Sequence, residues 1–197
     1  VPLSIVALGA LYSERTGVVN IALEGIMIMG AYVGAVVMKT LEPGELSTQW
    51  IIVIALAIGL ITGAVFSLLH AFAAINMKAN QIISATALNM FAPAFVIFIN
   101  RTFSESHSSR VVLLRDDYRI PDVPFLSDIP FFGPLLFHNA YISTYIGAAI
   151  FIALTVFLYK TKWGLRMRSC GENPQAADSL GINIFKIRYA GVIVSGA

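Results

Sequence analysis

Four apolar stretches, each about as long as a membrane-spanning helix, constrain the fold of this chain more than any other feature. A helix needs roughly 20 consecutive apolar residues to cross the hydrocarbon core of a bilayer. Within the four stretches only one side chain is charged, that of Glu24. Two shorter apolar runs lie at the ends of the chain, at residues 1–11 and 189–197. The four long stretches are residues 18–38, 50–69, 81–99 and 141–159.

The pattern predicts an all-α, polytopic helical membrane protein with four full and two partial transmembrane helices. Composition agrees, because 12% of the residues are charged, against about 25% in soluble domains. Since Val1 is not a natural start and the chain stops at Ala197 inside an apolar run, we expect a fragment of one transmembrane domain, residues 1–197, truncated at both ends. The net charge of +2 is too small to suggest a nucleic-acid partner, so the lipid bilayer is the expected environment.

The distribution of Lys and Arg predicts the orientation in the membrane. The loops on one side, residues 12–17, 70–80 and 160–188, hold eight basic residues. The loops on the other side, residues 39–49 and 100–140, hold five basic residues together with seven acidic ones. We therefore expect residues 160–188 to be cytoplasmic and residues 100–140 to form an extracellular loop.

Small residues recur at four-residue spacing in two of the predicted spans. Gly30 and Gly34 form one series, and Gly59, Gly63 and Ser67 form the other. Because small side chains let helix backbones approach closely in lipid, we expect these positions to be helix contacts.

The basic segment 160–188 contains the signals of a short helix. Asn173 is a good N-cap, Pro174 suits the first helical position, and Gly181 suits the left-handed residue just past the end. A two-turn helix on a cytoplasmic loop between two spans predicts a docking site for another protein.

Signatures of catalysis are missing from the sequence. No G-x-x-x-x-G-K-[ST] phosphate-binding loop occurs, and His70, His107 and His138 lack metal-ligand spacing. We predict no catalytic residue, no metal site and no cofactor. The histidines are expected to be ordinary surface or interface residues, and Cys170 is expected to fill space without a chemical role.

Polar side chains within the spans suggest a transport route, because such groups are costly in lipid unless they face a cavity or a partner. Glu24 follows Asn20 by one turn on the same predicted helix face, and Asn89 precedes Pro93, which should kink its helix. We predict that Asn20, Glu24 and Asn89 line this route. The alternatives are an interfacial position for Asn20 and Glu24, and a role for Asn89 as structural glue between helices.

The apolar run 1–11 ends in the sequence SERTG before the first full span begins. Broken helices occur where transporters place their sites. A plain cytoplasmic turn between two spans is the other interpretation, and whether residues 1–17 are re-entrant stays open.

Three ordered blocks together resemble the permease subunits of bacterial ABC importers for branched-chain amino acids, ribose, simple sugars and nucleosides. The blocks read ALGALYSERTGVVNIALEGIMIMGAY, NMKANQIISATALNMFA and GLRMRSCGENPQAADSLGINIFKIRYAGVIVSGA. The patterns ERxGVVNIxLEG and GENPxAAxxxGIN are most similar to the nucleoside and simple-sugar branch. The chain departs from the family pattern at Gln175, where glutamate is usual, and at Ala22 and Ala85, where glycine is expected.

The resemblance implies a multi-pass permease of the bacterial plasma membrane that moves nucleosides or simple sugars by alternating access. It implies three kinds of partner: cytosolic ATPase subunits, a second permease subunit and an extracellular substrate-binding lipoprotein. ATP hydrolysis would then reside in the ATPase partner. The alternatives are an ion-coupled secondary transporter and an ABC permease for branched-chain amino acids. The residues expected to couple to the ATPase are Asn173, Pro174, Gln175, Ala176, Ala177 and Gly181.

Overall fold

Helices make up most of the computed structural model, which describes residues 2–44, 47–103, 120–122 and 138–197. One short antiparallel pairing joins strand β1, Ile120–Asp122, to strand β2, His138–Ala140. The eight α-helices of the described part are α1 (Pro2–Glu14), α2 (Leu23–Leu41), α3 (Thr48–Ala71), α4 (Gln81–Phe103), α5 (Ile142–Lys160), α6 (Lys162–Glu172), α7 (Pro174–Ser179) and α8 (Ile184–Gly196).

Four of these helices, α2 to α5, are long and apolar enough to cross a membrane, which confirms the all-α polytopic class. Helix α3 continues through a π-helical turn, Phe72–Asn76, so the prediction of a loop over residues 70–80 was wrong for most of its length. The run is apolar and rich in alanine, which favours helix. The chain turns only at Lys78, whose φ is +50°, and Asn80 then caps α4 by accepting from the Ile82 N–H.

The small residues lie at helix contacts, as predicted. A Cβ atom built on Gly30 would lie 3.2 Å from the carbonyl oxygen of Gly59, and one on Gly59 would lie 3.3 Å from that of Gly30. These two glycines bring α2 and α3 together backbone to backbone. Further along α3, a Cβ atom on Gly63 would overlap the carbonyl oxygen of Gly196 in α8. Larger side chains at these positions would separate the three helices.

Helix α8 packs between α1 and α3. A Cβ atom on Gly191 would lie 2.5 Å from the Thr16 side chain, and one on Gly9 would lie 2.8 Å from the carbonyl oxygen of Ser195. The phenolic hydroxyl of Tyr189 also donates to the Asn76 side chain at the end of the π-helical turn. Helix α8 thereby joins the beginning of the chain to α3.

The charged segment that follows α5, predicted as a loop with one short helix, contains the helices α6 and α7 and the start of α8. Helix α6 begins at a cap, where the Thr161 side chain accepts from the Gly164 N–H at 3.2 Å. Its Met167 and Cys170, three residues apart on one helix face, enter a buried cluster. The cluster combines side chains from five helices: Leu8, Tyr12, Leu158, Met167, Cys170, Ala177 and Ile187.

The first full span begins later than predicted. Helix α2 starts at Leu23, and residues 18–22, which we call the unwound segment, are not helical. Asn20 is therefore not one helical turn before Glu24 on a shared face. Val18 and Val19 are β-branched, which weakens helix propensity, and Gly17 has a φ of +82°, which ends the preceding helix in a left-handed turn.

The prediction for residues 100–140 falls mostly outside the described residues. Helix α4 extends to Phe103, so the segment does not begin as a loop. The two strands lie within it. Helix α4 runs through Pro93 as one element, and the kink expected there stays a prediction.

Candidate functional site

The unwound segment, residues 18–22, is the most unusual backbone in the described part of this membrane protein. Its side chains alternate, with Val18, Asn20 and Ala22 buried and Val19 and Ile21 exposed. Unpaired backbone N–H and C=O groups are costly at membrane depth, so non-helical backbone persists there only where protein or a cavity serves it. The partners of this backbone therefore define the site.

Side chains from two other helices hold the main chain of Val19. Its N–H donates to Oε1 of Gln81 at 2.8 Å, and its carbonyl oxygen lies 3.1 Å from Nε2 of His70. On the other side of the ring, Nδ1 of His70 lies 3.2 Å from the hydroxyl of Ser84. A carbonyl oxygen only accepts, so Nε2 carries the proton and neutral His70 accepts from Ser84. Helices α3 and α4 are thus pinned to one residue of the unwound segment.

His70 contradicts the prediction of an ordinary surface or interface histidine, because its side chain is fully buried. The spacing of histidines along the sequence tests only for metal ligands. It carries no information about a histidine that binds main-chain atoms 51 residues away.

Asn89 joins the unwound segment to the first turn of α2. Its Nδ2 donates to the carbonyl oxygen of Ile21 at 2.9 Å, and its Oδ1 accepts from the N–H of Gly25 at 2.8 Å. The first turn of every helix has backbone N–H groups without a partner inside the helix. The Asn89 amide therefore bonds both to such an N–H group and to a carbonyl oxygen of the non-helical backbone. Gly25 permits this approach, since a Cβ atom there would lie 2.8 Å from the carbonyl oxygen of Leu88. These contacts join α4 to the start of α2, as the structural alternative for Asn89 requires.

Asn20 turns inward to the opposite side of the segment. Its Nδ2 donates to Oγ of Ser195 in α8 at 2.6 Å, and its Oδ1 accepts from the N–H of Ala22 at 3.1 Å. The Ser195 hydroxyl in turn donates a hydrogen bond to the carbonyl oxygen of Val192. The buried Asn20 side chain thus fastens the unwound segment to α8.

The site extends inward from the beginning of α4. Asn89 is eight residues past Gln81, the first residue of α4, or about 12 Å along an ideal helix. Ser195 is eleven residues past Ile184, the first residue of α8, or about 16 Å. Val19, by contrast, bonds to Gln81 itself, so the contacts of the segment cover about two turns of α4.

The three residues predicted to line a route lie in the unwound segment or beside it, and two of them are at least partly exposed. Glu24 is exposed in the first turn of α2, where a carboxylate favours the positive end of the helix dipole. Asn89 is half-buried, and Asn20 is buried. Glu24 and the outer edge of Asn89 are consequently the polar groups that a passing molecule could reach.

The second site is the short helix α7 at the charged end of the molecule, and its caps are those predicted. Oδ1 of Asn173 accepts from the N–H of Ala176 at 3.0 Å, and Pro174 is the first helical residue. Gly181 has a φ of +77°, and its N–H donates to the carbonyl oxygen of Asp178 at 2.8 Å. The N–H of Ile182 donates back to the carbonyl oxygen of Ala177 at 3.1 Å, which completes a Schellman motif.

Helix α7 buries one side chain and exposes the others that could bind a partner. Ala177 is 2% exposed and belongs to the five-helix cluster, whereas Gln175 and Ala176 face outward. Leu180, just past the helix, is 79% exposed. A cleft of about 280 Å³ lies beside it, lined by Trp163, Arg166, Leu180, Gly181, Ile182, Asn183, Lys186 and Ile187. This combination of an anchored helix, an exposed leucine and a basic cleft suits the docking of another protein.

Cys170 lies beneath this surface as the predicted filler. Its side chain is fully buried. Burial raises the pKa of the Cys170 thiol, and the Arg188 guanidinium lowers it in part. A buried thiol with a raised pKa is a poor nucleophile.

Comparison with known proteins identifies the family to which the chain belongs. The family of permease components of branched-chain amino acid transport systems matches residues 1–197. The chain belongs to this family. No solved structure matches it.

Several relatives carry names that describe transport. The nucleoside ABC transporter permease protein NupC of Lactococcus lactis and the guanosine ABC transporter permease protein NupQ of Bacillus subtilis are each 39% identical over 99% of this chain. A putative glucose ABC transporter permease protein of Haloferax volcanii, TsgC13, is 31% identical over 98% of this chain. The chain spans 60% of the length of the first two relatives and 55% of the third.

We predict that Asn89→Leu destabilises the protein, although leucine is the more lipophilic side chain. The substitution leaves the Ile21 carbonyl and the Gly25 N–H without their partner, and such losses cost about 1–3 kcal/mol each when buried. Thr86→Val is the matched control on the same helix, because its hydroxyl bonds only to the Ile82 carbonyl of α4 itself. Unfolding of the purified protein by detergent titration measures both changes. Equal stability of Asn89→Leu and the wild type would show that the amide does not hold the segment.

Proposed function

We propose that this chain is the membrane-spanning permease part of an ATP-driven importer in a bacterial plasma membrane. The observation that carries the proposal is helix α7, a capped two-turn helix whose Ala177 anchors it in the core while Gln175 and Ala176 face outward. The coupling residues Asn173, Pro174, Gln175, Ala176, Ala177 and Gly181 would contact a cytosolic ATPase there. A second permease subunit and an extracellular substrate-binding lipoprotein would complete the assembly.

The proposed substrate is a nucleoside. Two relatives that match 99% of this chain at 39% identity are named for nucleoside and guanosine transport, and one named for glucose matches 98% of it at 31%. A simple sugar is therefore the second candidate and a branched-chain amino acid the third. In such an assembly the binding lipoprotein would perform much of the selection.

The proposed route passes the unwound segment. Glu24 and the outer edge of Asn89 would offer a carboxylate and an amide to a substrate rich in hydroxyl and ring nitrogen groups, while Asn20 would hold the segment from behind. Broken helices are where transporters commonly place their sites. If Asn89 meets the substrate, the folded fraction of Asn89→Leu should show a raised apparent KM for uptake. An unchanged KM would leave Asn89 with its structural role alone.

The proposed orientation places α7 in the cytosol and the α2–α3 loop outside. Single cysteines at Ser179 and Ser47, both exposed, test this orientation in a Cys170→Ser background. An impermeant thiol reagent added to intact cells should label the cysteine at position 47 and spare the one at position 179, which should react after the cells are permeabilised. Labelling at 179 alone in intact cells would invert the orientation.

We predict that Gly181→Val lowers uptake by the complete transporter because it distorts the left-handed turn that ends α7. No atom lies within 4 Å of a Cβ atom at this position, so a clash cannot contribute, but valine resists a φ of +77°. Gly181→Asn is the control, because asparagine tolerates the left-handed region. Uptake into proteoliposomes that hold all subunits should require ATP, fall in Gly181→Val and persist in Gly181→Asn.

Two results would contradict this account. Wild-type uptake that needs an ion gradient and no ATPase would favour a secondary transporter, with Glu24 as its coupling group. Normal uptake and normal ATPase binding by Gly181→Val would remove α7 as the docking site.

A further inference from the structure

The last turn of α6 is seated against the turn that begins the unwound segment. A Cβ atom on Gly171 would overlap the carbonyl oxygen of Arg15 and lie 3.4 Å from the backbone nitrogen of Gly17. From the other side, a Cβ atom on Gly17 would lie 3.6 Å from the Cα atom of Gly171 and 3.5 Å from Nη2 of Arg188. The two glycines let the backbones of α6 and of the 15–17 turn touch.

Helix α6 is tied to the proposed docking helix by a single residue. Asn173 ends α6, donating its N–H to the carbonyl oxygen of Ser169 at 3.0 Å, and it also caps α7 with its side chain. Ala177 of α7 and Cys170 of α6 then share the same buried cluster. Because no flexible linker separates the two helices, a displacement of α7 moves the end of α6.

The 15–17 turn is tied equally closely to the unwound segment. The Ser13 hydroxyl donates to the carbonyl oxygen of Val18 at 2.6 Å, and the Thr16 hydroxyl donates to the carbonyl oxygen of Ser13 at 2.8 Å. The next residue, Val19, is the one held between His70 and Gln81. A shift of the turn therefore acts on Val19 and its partners through two residues of chain.

Space for such a shift exists beside the contact. A cleft of about 320 Å³ separates the end of α1 from the end of α6. Its lining residues are Leu11, Glu14, Arg15, Arg168, Gly171 and Glu172. The side chains of Glu14 and Glu172, one on each helix, are exposed.

We propose that Gly171 and Gly17 are positioning residues that transmit motion of the docking helix to the unwound segment. The inference rests on the proposed function, since it assumes that an ATPase moves α7. It adds a defined route: α7 moves the end of α6, Gly171 moves the 15–17 turn, and the turn moves the backbone that Asn89 and His70 hold. Contact between these elements is not sufficient for such a route. The position of α7 must also change the energy of the unwound segment.

The first test is Gly171→Ala in the complete transporter, reconstituted with its ATPase and binding protein. We expect assembly and ATP hydrolysis to persist while the amount of substrate moved per ATP falls several-fold. Gly59→Ala is the control, because its Cβ atom would lie 3.3 Å from the Gly30 carbonyl oxygen, at a contact that includes neither α6 nor the unwound segment. That variant should lose stability and keep the wild-type amount of substrate per ATP. Equal ratios in Gly171→Ala and the wild type would overturn the proposal.

A second test does not require that Gly171→Ala, with its additional methyl group, folds normally. Cysteines replace the exposed Glu14 and Glu172 in a Cys170→Ser background, and a reductively cleavable thiol crosslinker then joins α1 to α6 across the cleft. We expect uptake to stop with ATP hydrolysis retained, and to return after reduction. Full uptake by the crosslinked transporter would overturn the proposal while leaving the proposed function intact, provided that wild-type uptake requires ATP. Wild-type uptake without ATP would instead remove the proposed function.

Discussion

Every backbone polar group at membrane depth needs a partner, and the architecture around residues 18–22 follows from that requirement. A helix satisfies its own backbone, but the unwound segment cannot. Its main chain is served instead by side chains from α1, α3 and α4: the Ser13 hydroxyl, the His70 ring, and the Gln81 and Asn89 amides. These bonds hold three helices around one stretch of chain. Without these bonds, the carbonyl and N–H groups of the segment would lie in an apolar environment with no hydrogen-bond partner, which is energetically costly.

Close helix packing is the second consequence. Amide and imidazole side chains reach only a short distance, so the helices that carry them must lie against the segment. Gly25 lets α4 approach the start of α2, and Gly191 lets α8 approach Thr16. Ala22 and Ala85, where the family resemblance led us to expect glycine, are both fully buried in one cluster between α2 and α4. A methyl group is accommodated at both positions, so the departures from the family pattern leave this packing intact.

The spans and the docking helix could be predicted because their signals are local. Length and hydropathy identify α2 to α5, and Asn173, Pro174 and Gly181 predict the two ends of α7. The start of α2 could not be predicted from hydropathy, since Val18, Val19 and Ile21 are as apolar as helical residues. The chemistry that keeps them unwound comes from His70 and Asn89, which lie far away in sequence. Glycine at position 17 and the two valines after it were the available local signals.

The central claim is that side chains, rather than helical bonds, protect the backbone of residues 18–25. Hydrogen–deuterium exchange of the complete permease, read on peptides that cover these residues, tests it most directly. The account predicts slow exchange in the wild type and faster exchange in Gln81→Leu, which removes the acceptor for the Val19 N–H, with residues 26–41 of α2 unchanged in both. Fast exchange over residues 18–25 in the wild type, or the same slow exchange in both proteins, would contradict the account.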